Sequence, residues 1–505
     1  MRTKKALLNS LSALLQQAVA VICGFILPRL ILTAFGSEVN GAVSSITQFL
    51  GYITLLEAGV GGVTRAALYK PLADKDIKTI SGIANATQDF FRKLAGVFLI
   101  YSVLLAVGFK YISGTEFSVI YTGSLVLIIA ISAVAQYYFG ITNSIILQAD
   151  QKMYISTAIQ IGTIILNTII SVILINMSCG IHIVKLFSAG VFVLRPLLLN
   201  IIVKRQYHID PKVPIDKEAL KQRWNGLGQH LAYFLHNNTD IMVITIFLGL
   251  KWVSVYNIYF MVSNGIMNVV SALNGGSEAA FGNMIAKGER QVLDSRFKMM
   301  ETFGACIITA FFSTTGLLIV EFVSIYTHGI HDINYNVPVF GGLLVLSQAM
   351  YCIRQQYNTL VIAAGHFKET QLGAFIEAGL NIVLAIIFVN IYGIEGVVIA
   401  TIISTSYRVI DYVLYLQKHI LYRNIGVFIK RILTTVANVL VIIGIYYFLP
   451  LENTHSYIAW GMKAILVFCI ACLSTFFWNF IFYREDLLTA IHIIKSVLVK
   501  RNRGK

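Results

Sequence analysis

Apolar residues in this chain come in long blocks, not in the short alternations of a soluble protein. Blocks of spanning length cover 6–34, 40–64, 90–112, 117–141, 154–177, 181–203, 224–249, 252–274, 302–326, 338–363, 371–392, 394–417, 425–448 and 457–482. A membrane-crossing helix needs about 20 largely apolar residues. The pattern therefore predicts an all-α polytopic membrane protein with about 14 transmembrane helices. The connections are short, the longest holding fewer than 30 residues, so none can hide a soluble domain. The first block is too long for a cleavable signal peptide and reads as the first span.

A weak repeat runs through the blocks. FGSEVNG, from Phe35, resembles LGLKWVSVYN, from Leu248, and pairs Gly36 with Gly249. Gly61-Gly62 fall on Gly275-Gly276, and NSIILQADQK from Asn143 falls on NTLVIAAGHFK from Asn358. The offset stays between 213 and 215 over this stretch. Six helices per repeat is an even number, which gives two lobes of the same orientation, a known transporter plan. The expected organisation is two pseudo-symmetric six-helix lobes, 1–203 and 224–417. A cytoplasmic linker, 204–223, joins them, and 418–505 adds two further helices and a basic tail.

Charge gives the orientation. With the N-terminus in the cytoplasm, 31 of the 39 Lys and Arg fall in inside segments and only Lys110, Lys185, Lys251 and Lys463 outside. This is the positive-inside bias, and it places both termini in the cytoplasm. The composition agrees, at 57% hydrophobic, 12% charged and a formal net charge of +15. In a membrane protein that excess faces anionic headgroups, not nucleic acid. The six cysteines, including the Cys469/Cys472 C-x-x-C, lie mostly in apolar blocks and read as small hydrophobes, with no metal site. No Walker loop, zinc motif or dinucleotide fingerprint is present, so no cofactor and no direct use of ATP is expected.

Four segments carry a family resemblance. PRLILTAFGSEVNGAVSSI, LLEAGVGGVTRAAL, LQADQK and NNTDIMVITIFLGLKWVSVYN resemble the polysaccharide-transporter branch of the multidrug/oligosaccharidyl-lipid/polysaccharide exporter superfamily, the Wzx-type flippases. The resemblance implies alternating access through a V-shaped cavity between lobes. It implies an undecaprenyl-pyrophosphate-linked oligosaccharide as cargo, such as an O-antigen, capsule or exopolysaccharide repeat unit. It also implies a bacterial plasma membrane, H+ or Na+ as coupling ion and a glycan polymerase as partner.

Ionisable groups inside spans are the chemical candidates, since each costs about 2.5–3.5 kcal/mol to insert. Arg29, Arg195, Arg354 and Arg408 are the intramembrane arginines, and guanidinium binds phosphate oxygens through paired hydrogen bonds. For Arg408 the competing reading is a self-contained pair with Asp411, one turn away. Asp240, Glu57 and Glu377 are the ion-coupling candidates, against a structural role as acceptors for neighbouring Arg or Asn. Glu321, near the outer boundary, reads as solvated. His230 and His236 read as hydrogen-bonded between helices.

Polar residues at helical spacing mark faces that could line a lumen for sugars. They include Asn257, Asn264, Asn268 and Ser271 in the eighth span, and Ser132, Gln136 and Asn143 in the fourth. Asn9 and Gln16, and Ser44, Thr47, Thr54 and Glu57, form two further stripes. Interhelical hydrogen bonding explains such stripes equally well. Gly61, Gly62, Gly275 and Gly276 are the hinge candidates. Each pair precedes an amphipathic stretch, 65–89 or 277–301, expected to lie along the inner surface. Two other classes compete with the flippase reading. A cation-coupled drug or metabolite exporter would use the same fold. A glycan polymerase or glycosyltransferase would need a large outer loop, and here the only cluster, His328, His331 and Asp332, is a short turn.

Overall fold

The computed structural model describes residues 2–57, 59–216, 227–274, 277–452 and 454–486. These residues are almost entirely helical and contain no strand. The helices are α1 (Arg2–Gly51), α2 (Thr54–Glu57), α3 (Val60–Asp74), α4 (Ile77–Ser113), α5 (Val119–Ala135), α6 (Ile141–Ala149), α7 (Met153–Asn176) and α8 (Ile181–Tyr207). They continue with α9 (Leu227–Phe247), α10 (Leu250–Asn274), α11 (Ser277–Ala286), α12 (Arg290–Tyr326) and α13 (Pro338–Ala363). The last four are α14 (Gln371–Tyr392), α15 (Ile394–Leu416), α16 (Gly426–Phe448) and α17 (Tyr457–Phe482).

Each of the fourteen expected spans has a helical counterpart once α1 is divided at Gly36, where φ is 82° and ψ 175°. Among the described residues, ten helices are long and apolar enough to cross a membrane by length and composition. Helices α9, α10 and α13 fall outside that set.

The structure redraws several boundaries. The second block does not run unbroken to 64: α1 stops at Gly51, and α3 begins after Gly59, whose φ is 86°. Gly61 and Gly62 lie in the first turn of α3, so the left-handed position there is Gly59. Gly275 and Gly276 lie outside the described residues, as do 217–226, the tail from 487 and the side chains of His230 and His236. The two amphipathic stretches are not single surface helices. Each divides into a short helix, α3 or α11, and the start of a 37-residue helix, α4 or α12. The divisions have local causes. Lys75 and Gly288 adopt left-handed backbone, and Asp76 caps α4 by accepting from Thr79 N at 3.0 Å.

Left-handed residues expose the repeat in the backbone itself. Gly36 pairs with Gly249, Lys75 with Gly288, Gly114 with Gly329, Gln151 with Gly365, Ser178 with Gly393 and His208 with Tyr422. All six pairs are 213 to 215 residues apart, the offset read from the sequence.

The chain divides into two compact units. Unit 1 comprises the described residues of Met1–Phe234, Ile241–Val255 and Gly329–Ile333; unit 2 comprises those of Leu235–Asp240, Tyr256–His328 and Asn334–Lys505. The core of unit 1 is built on Ile46, Leu68, Phe98, Phe109, Leu125 and Ile146. In unit 2 one core cluster centres on Phe297, Tyr357, Leu360 and Leu416.

Candidate functional site

In unit 2, α13, α14 and α15 bring four intramembrane charges into one network. Glu377 on α14 forms ion pairs with Arg354 on α13 and, at 3.6 Å, with Arg408 on α15. Arg408 also binds Asp411 at 2.6 Å and donates to the Tyr412 hydroxyl at 2.9 Å; that hydroxyl donates to Asn358 at 2.7 Å. Its guanidinium lies 4.0 Å from the Tyr412 ring centre, while that of Arg354 lies 4.7 Å from the ring of Tyr351. Arg408 is 1% exposed, Glu377 4% and Arg354 8%. Gly373 makes room for the network: a Cβ there would fall 2.2 Å from both Arg408 Nη1 and Asp411 Oδ2. Two guanidinium groups thus face two carboxylates and the charges match. The sequence suggested the Arg408–Asp411 pair but not the Arg354–Glu377 bridge between helices.

Among the described residues, Asp240 is held by hydroxyls and by no ion pair. It is buried on α9 and accepts a hydrogen bond from Tyr256 at 3.0 Å. Thr401 Oγ1 on α15 lies 3.2 Å and 3.3 Å from its two oxygens. Asn381 on α14, fully buried, donates to Thr401 at 3.0 Å, and its own Oδ1 has no hydrogen-bond partner. A carboxylate, a hydroxyl and an unsatisfied amide oxygen are hard oxygen donors of the kind alkali cations take. Among the described residues no cluster of His, Cys, Asp and Glu could hold a metal ion. Thr401 and Asn381 were missed in the sequence because isolated Thr and Asn residues in an apolar helix carry no signal of their own.

Unit 1 holds its polar groups differently. Arg195 on α8 is half-buried, and its Nε is buried with no hydrogen-bond partner. Beside it, Pro196 packs on the π turn Gln136–Gly140, which joins α5 to α6; a Cβ on Gly140 would fall 2.9 Å from Pro196 Cβ. Such wider, under-wound turns recur at functional sites. Gln136 and Asn143 lie on or beside this turn. Asn143 is buried and donates back to Phe139 O at 2.6 Å. Tyr137, in the same turn, is buried. Arg29 lies one residue after Pro28 in α1, half-buried.

Most hydroxyls of the predicted stripes bond to their own helix. Ser44 donates to Asn40 O, Thr47 to Val43 O and Ser132 to Ile129 O, while Thr54 of α2 reaches back to Gly51 O at the end of α1. In α10, Ser271 reaches Gln355 of α13 at 2.8 Å, and Nδ2 of Asn257 is buried without a partner. Asn264 and Asn268 on the same face are half-buried. Asn9 ties α1 to the α6–α7 turn, donating to Gln151 O and accepting from Tyr154 N. There Asp150 accepts from Lys5 at 2.9 Å and Tyr207 at 2.6 Å and pairs with Lys152 at 2.6 Å. Burial pushes the Asp150 carboxyl up, but hydrogen bonds from Lys152, Tyr207 and Lys5 outweigh that and hold it below the ordinary carboxylate value.

Glu321 is paired, not merely solvated. It accepts from Lys463 of α17 at 2.8 Å and from the Thr454 hydroxyl at 2.7 Å. Twenty residues earlier on α12, the fully buried Glu301 takes Arg423 through two hydrogen bonds, 2.5 Å and 2.7 Å, and Tyr357 at 2.7 Å. At 1.5 Å per residue the two acids are about 30 Å apart, close to the thickness of a bilayer's hydrocarbon core. The connection before α16, through Arg423, and α17, through Lys463, are therefore fastened to α12 at two points a bilayer's hydrocarbon thickness apart. Apolar grooves of about 250 Å³ (α10, α12, α17) and 330 Å³ (α16, α17) open in unit 2.

No protein-family model matches the sequence, and no curated protein matches it. Solved structures do. A lipid II flippase, MurJ, in an inward closed conformation superposes with a TM-score of 0.68 at 16% identity, covering 95% of this chain and 100% of that one. An inward-facing multidrug resistance MATE transporter of the MOP superfamily gives 0.61 at 16% identity, covering 80% and 94%. An outward-facing MATE transporter gives 0.53 at 14% identity, covering 81% and 95%. These three are flippases or transporters, not enzymes. The chain is a multi-pass membrane protein with the fold of the flippases and exporters of this superfamily.

Proposed function

We propose that this chain is a flippase that moves a polyprenyl-pyrophosphate-linked oligosaccharide from the inner to the outer leaflet of a bacterial plasma membrane by alternating access. The observation that carries this reading is the reach of the structural likeness. The flippase leaves about 25 residues of this chain unmatched and the exporter about 100. Helices α16 and α17 run from 426 to 482, so the flippase match must include much of them. The apolar grooves along these two helices offer a polyprenyl tail a surface while its headgroup crosses.

In this reading the lobes 1–203 and 224–417 alternate about the linker 204–223, both termini face the cytoplasm, and 418–505 is the appendage. Arg195, whose buried Nε has no hydrogen-bond partner, holds the pyrophosphate; Arg354 and Arg408 serve the fold, because their charge is already matched. Gln136, Asn143, Asn257, Asn264 and Asn268 meet the sugars. Asp240, with Thr401 and Asn381, takes the coupling H+ or Na+. A glycan polymerase is the expected consumer of the product. The exporter alternative rests on the MATE likeness.

The test is reconstitution into proteoliposomes with a labelled polyprenyl-pyrophosphate glycan. The expected result is protein-dependent flipping of the lipid, with its dependence on a sodium or proton gradient abolished by Asp240→Asn. Extrusion of a cationic dye with no movement of the glycolipid would establish the exporter reading instead.

A further inference from the structure

The break in α1 has an unusual cap. The segment after Gly36 begins a new helical run, and the first N–H groups of such a run lack acceptors within the helix. The usual remedy is a Ser, Thr, Asp or Asn at the preceding position. Here that position is Gly36, which takes a left-handed φ of 82° and has no side chain to offer. The missing acceptor comes from 295 residues away: Asp332 Oδ2 accepts from Ser37 N at 2.7 Å, and its Oδ1 accepts from the Ser37 hydroxyl at 2.6 Å. A Cβ on Gly36 would lie 3.2 Å from Asp332 Oδ2, so the glycine also lets the carboxylate in.

Chain organisation supports the same point independently. Asp332 lies in the α12–α13 connection. Of that connection, only Gly329–Ile333 belongs to unit 1; His328 before it and Asn334 after it belong to unit 2. Around the break, within unit 1, Asn40 donates to Ser254 at 2.7 Å and Lys251 reaches Asp332 O at 3.5 Å. Thr115 of the α4–α5 turn donates to Glu38 at 2.6 Å. A local cap cannot leave its helix, whereas a cap on a remote connection can.

We propose that the α12–α13 connection is a strap and Asp332 a detachable cap, whose departure from Ser37 frees the outer segment of α1 when the outer end of the protein opens. In the orientation set by the charge bias, this connection faces outward. The carboxylate suits the role because it satisfies two donors at once and carries the charge a helix N-terminus favours.

The test needs no cargo, so it stands apart from the flippase reading. Val39, buried just past the cap, is replaced by Cys, and labelling by a membrane-impermeant maleimide is followed in reconstituted vesicles above the signal of the parent chain. Adding Asp332→Ala raises the labelling rate about fivefold, the effect of losing one cap. Adding Asp332→Asn, which keeps an acceptor but loses the charge, raises it less and supplies the reading should the alanine variant not fold. Thr115→Val, which breaks the neighbouring hydrogen bond without touching the cap, leaves the rate unchanged. Equal labelling with and without the Asp332 substitutions, or an equal rise with Thr115→Val, overturns the proposal.

Discussion

The two halves of the chain share a backbone plan and differ in charge. Six left-handed positions recur at an offset of 213 to 215, so the turns are the best-preserved part of the repeat. At an offset of 214, Arg354 and Glu377 fall on Gly140 and Thr163: the ion pair of the second half is replaced by two uncharged residues. Arg408 falls within one residue of Arg195, yet Arg408 has two carboxylates beside it, while Arg195 has a buried Nε with no acceptor. A turn is a local demand on one backbone and survives duplication. An ion pair requires two residues on two helices to persist together, and when one changes the other becomes a liability. The comparison separates arginines that hold helices together from those with hydrogen-bonding capacity to offer an anion.

The largest expected effect is on the matched network. Glu377→Gln leaves two buried guanidinium groups short of a carboxylate and lowers stability by about 3 kcal/mol or more, read as a fall in melting temperature in detergent. Replacing Arg354 and Glu377 together by Met costs far less, because no charge is stranded. If the double variant is as unstable as the single, the network is not the self-contained unit described.

The turns come next. Gly288, Gly365 and Gly393 hold left-handed backbone that the first half holds with Lys75, Gln151 and Ser178. Gly393→Ser introduces a Cβ into that conformation and destabilises by about 1 kcal/mol, and Ser178→Gly relieves a comparable strain. Thermal unfolding of the two variants checks both signs.

The smallest effect is a pH dependence in unit 1. The Asp150 carboxyl sits below its ordinary value, so its clasp on Lys5, Lys152 and Tyr207 is fully present above the unfolded carboxylate pKa. The clasp is lost as pH falls through the lowered folded value. Proteolysis near the α6–α7 turn should accelerate in acid in the wild type and be fast at all pH values in Asp150→Ala.

Much of this was legible in the residues alone. Block length gave the spans, and Gly36 and Gly249 gave the repeat, because a positive φ favours a particular residue. Charge pairing across helices was not legible. Arg354 and Glu377 are 23 residues apart on different helices, and which faces meet depends on packing that no single helix encodes. The same applies to Glu321 and Lys463, which seemed to belong to separate, solvated ends, and to Glu301 with Arg423. The breaks at Gly51 and Gly59 were hidden because apolar residues continue through them.

The most direct measurement sets Arg195→Ala beside the Arg354→Met/Glu377→Met double variant in one glycolipid-flipping assay, with melting temperature recorded for each. The account predicts that Arg195→Ala loses about tenfold or more in flipping with little change in stability, as for a charge-assisted hydrogen bond to an anion, while the double variant still flips. Normal flipping by Arg195→Ala, with flipping abolished in a stably folded double variant, would contradict it.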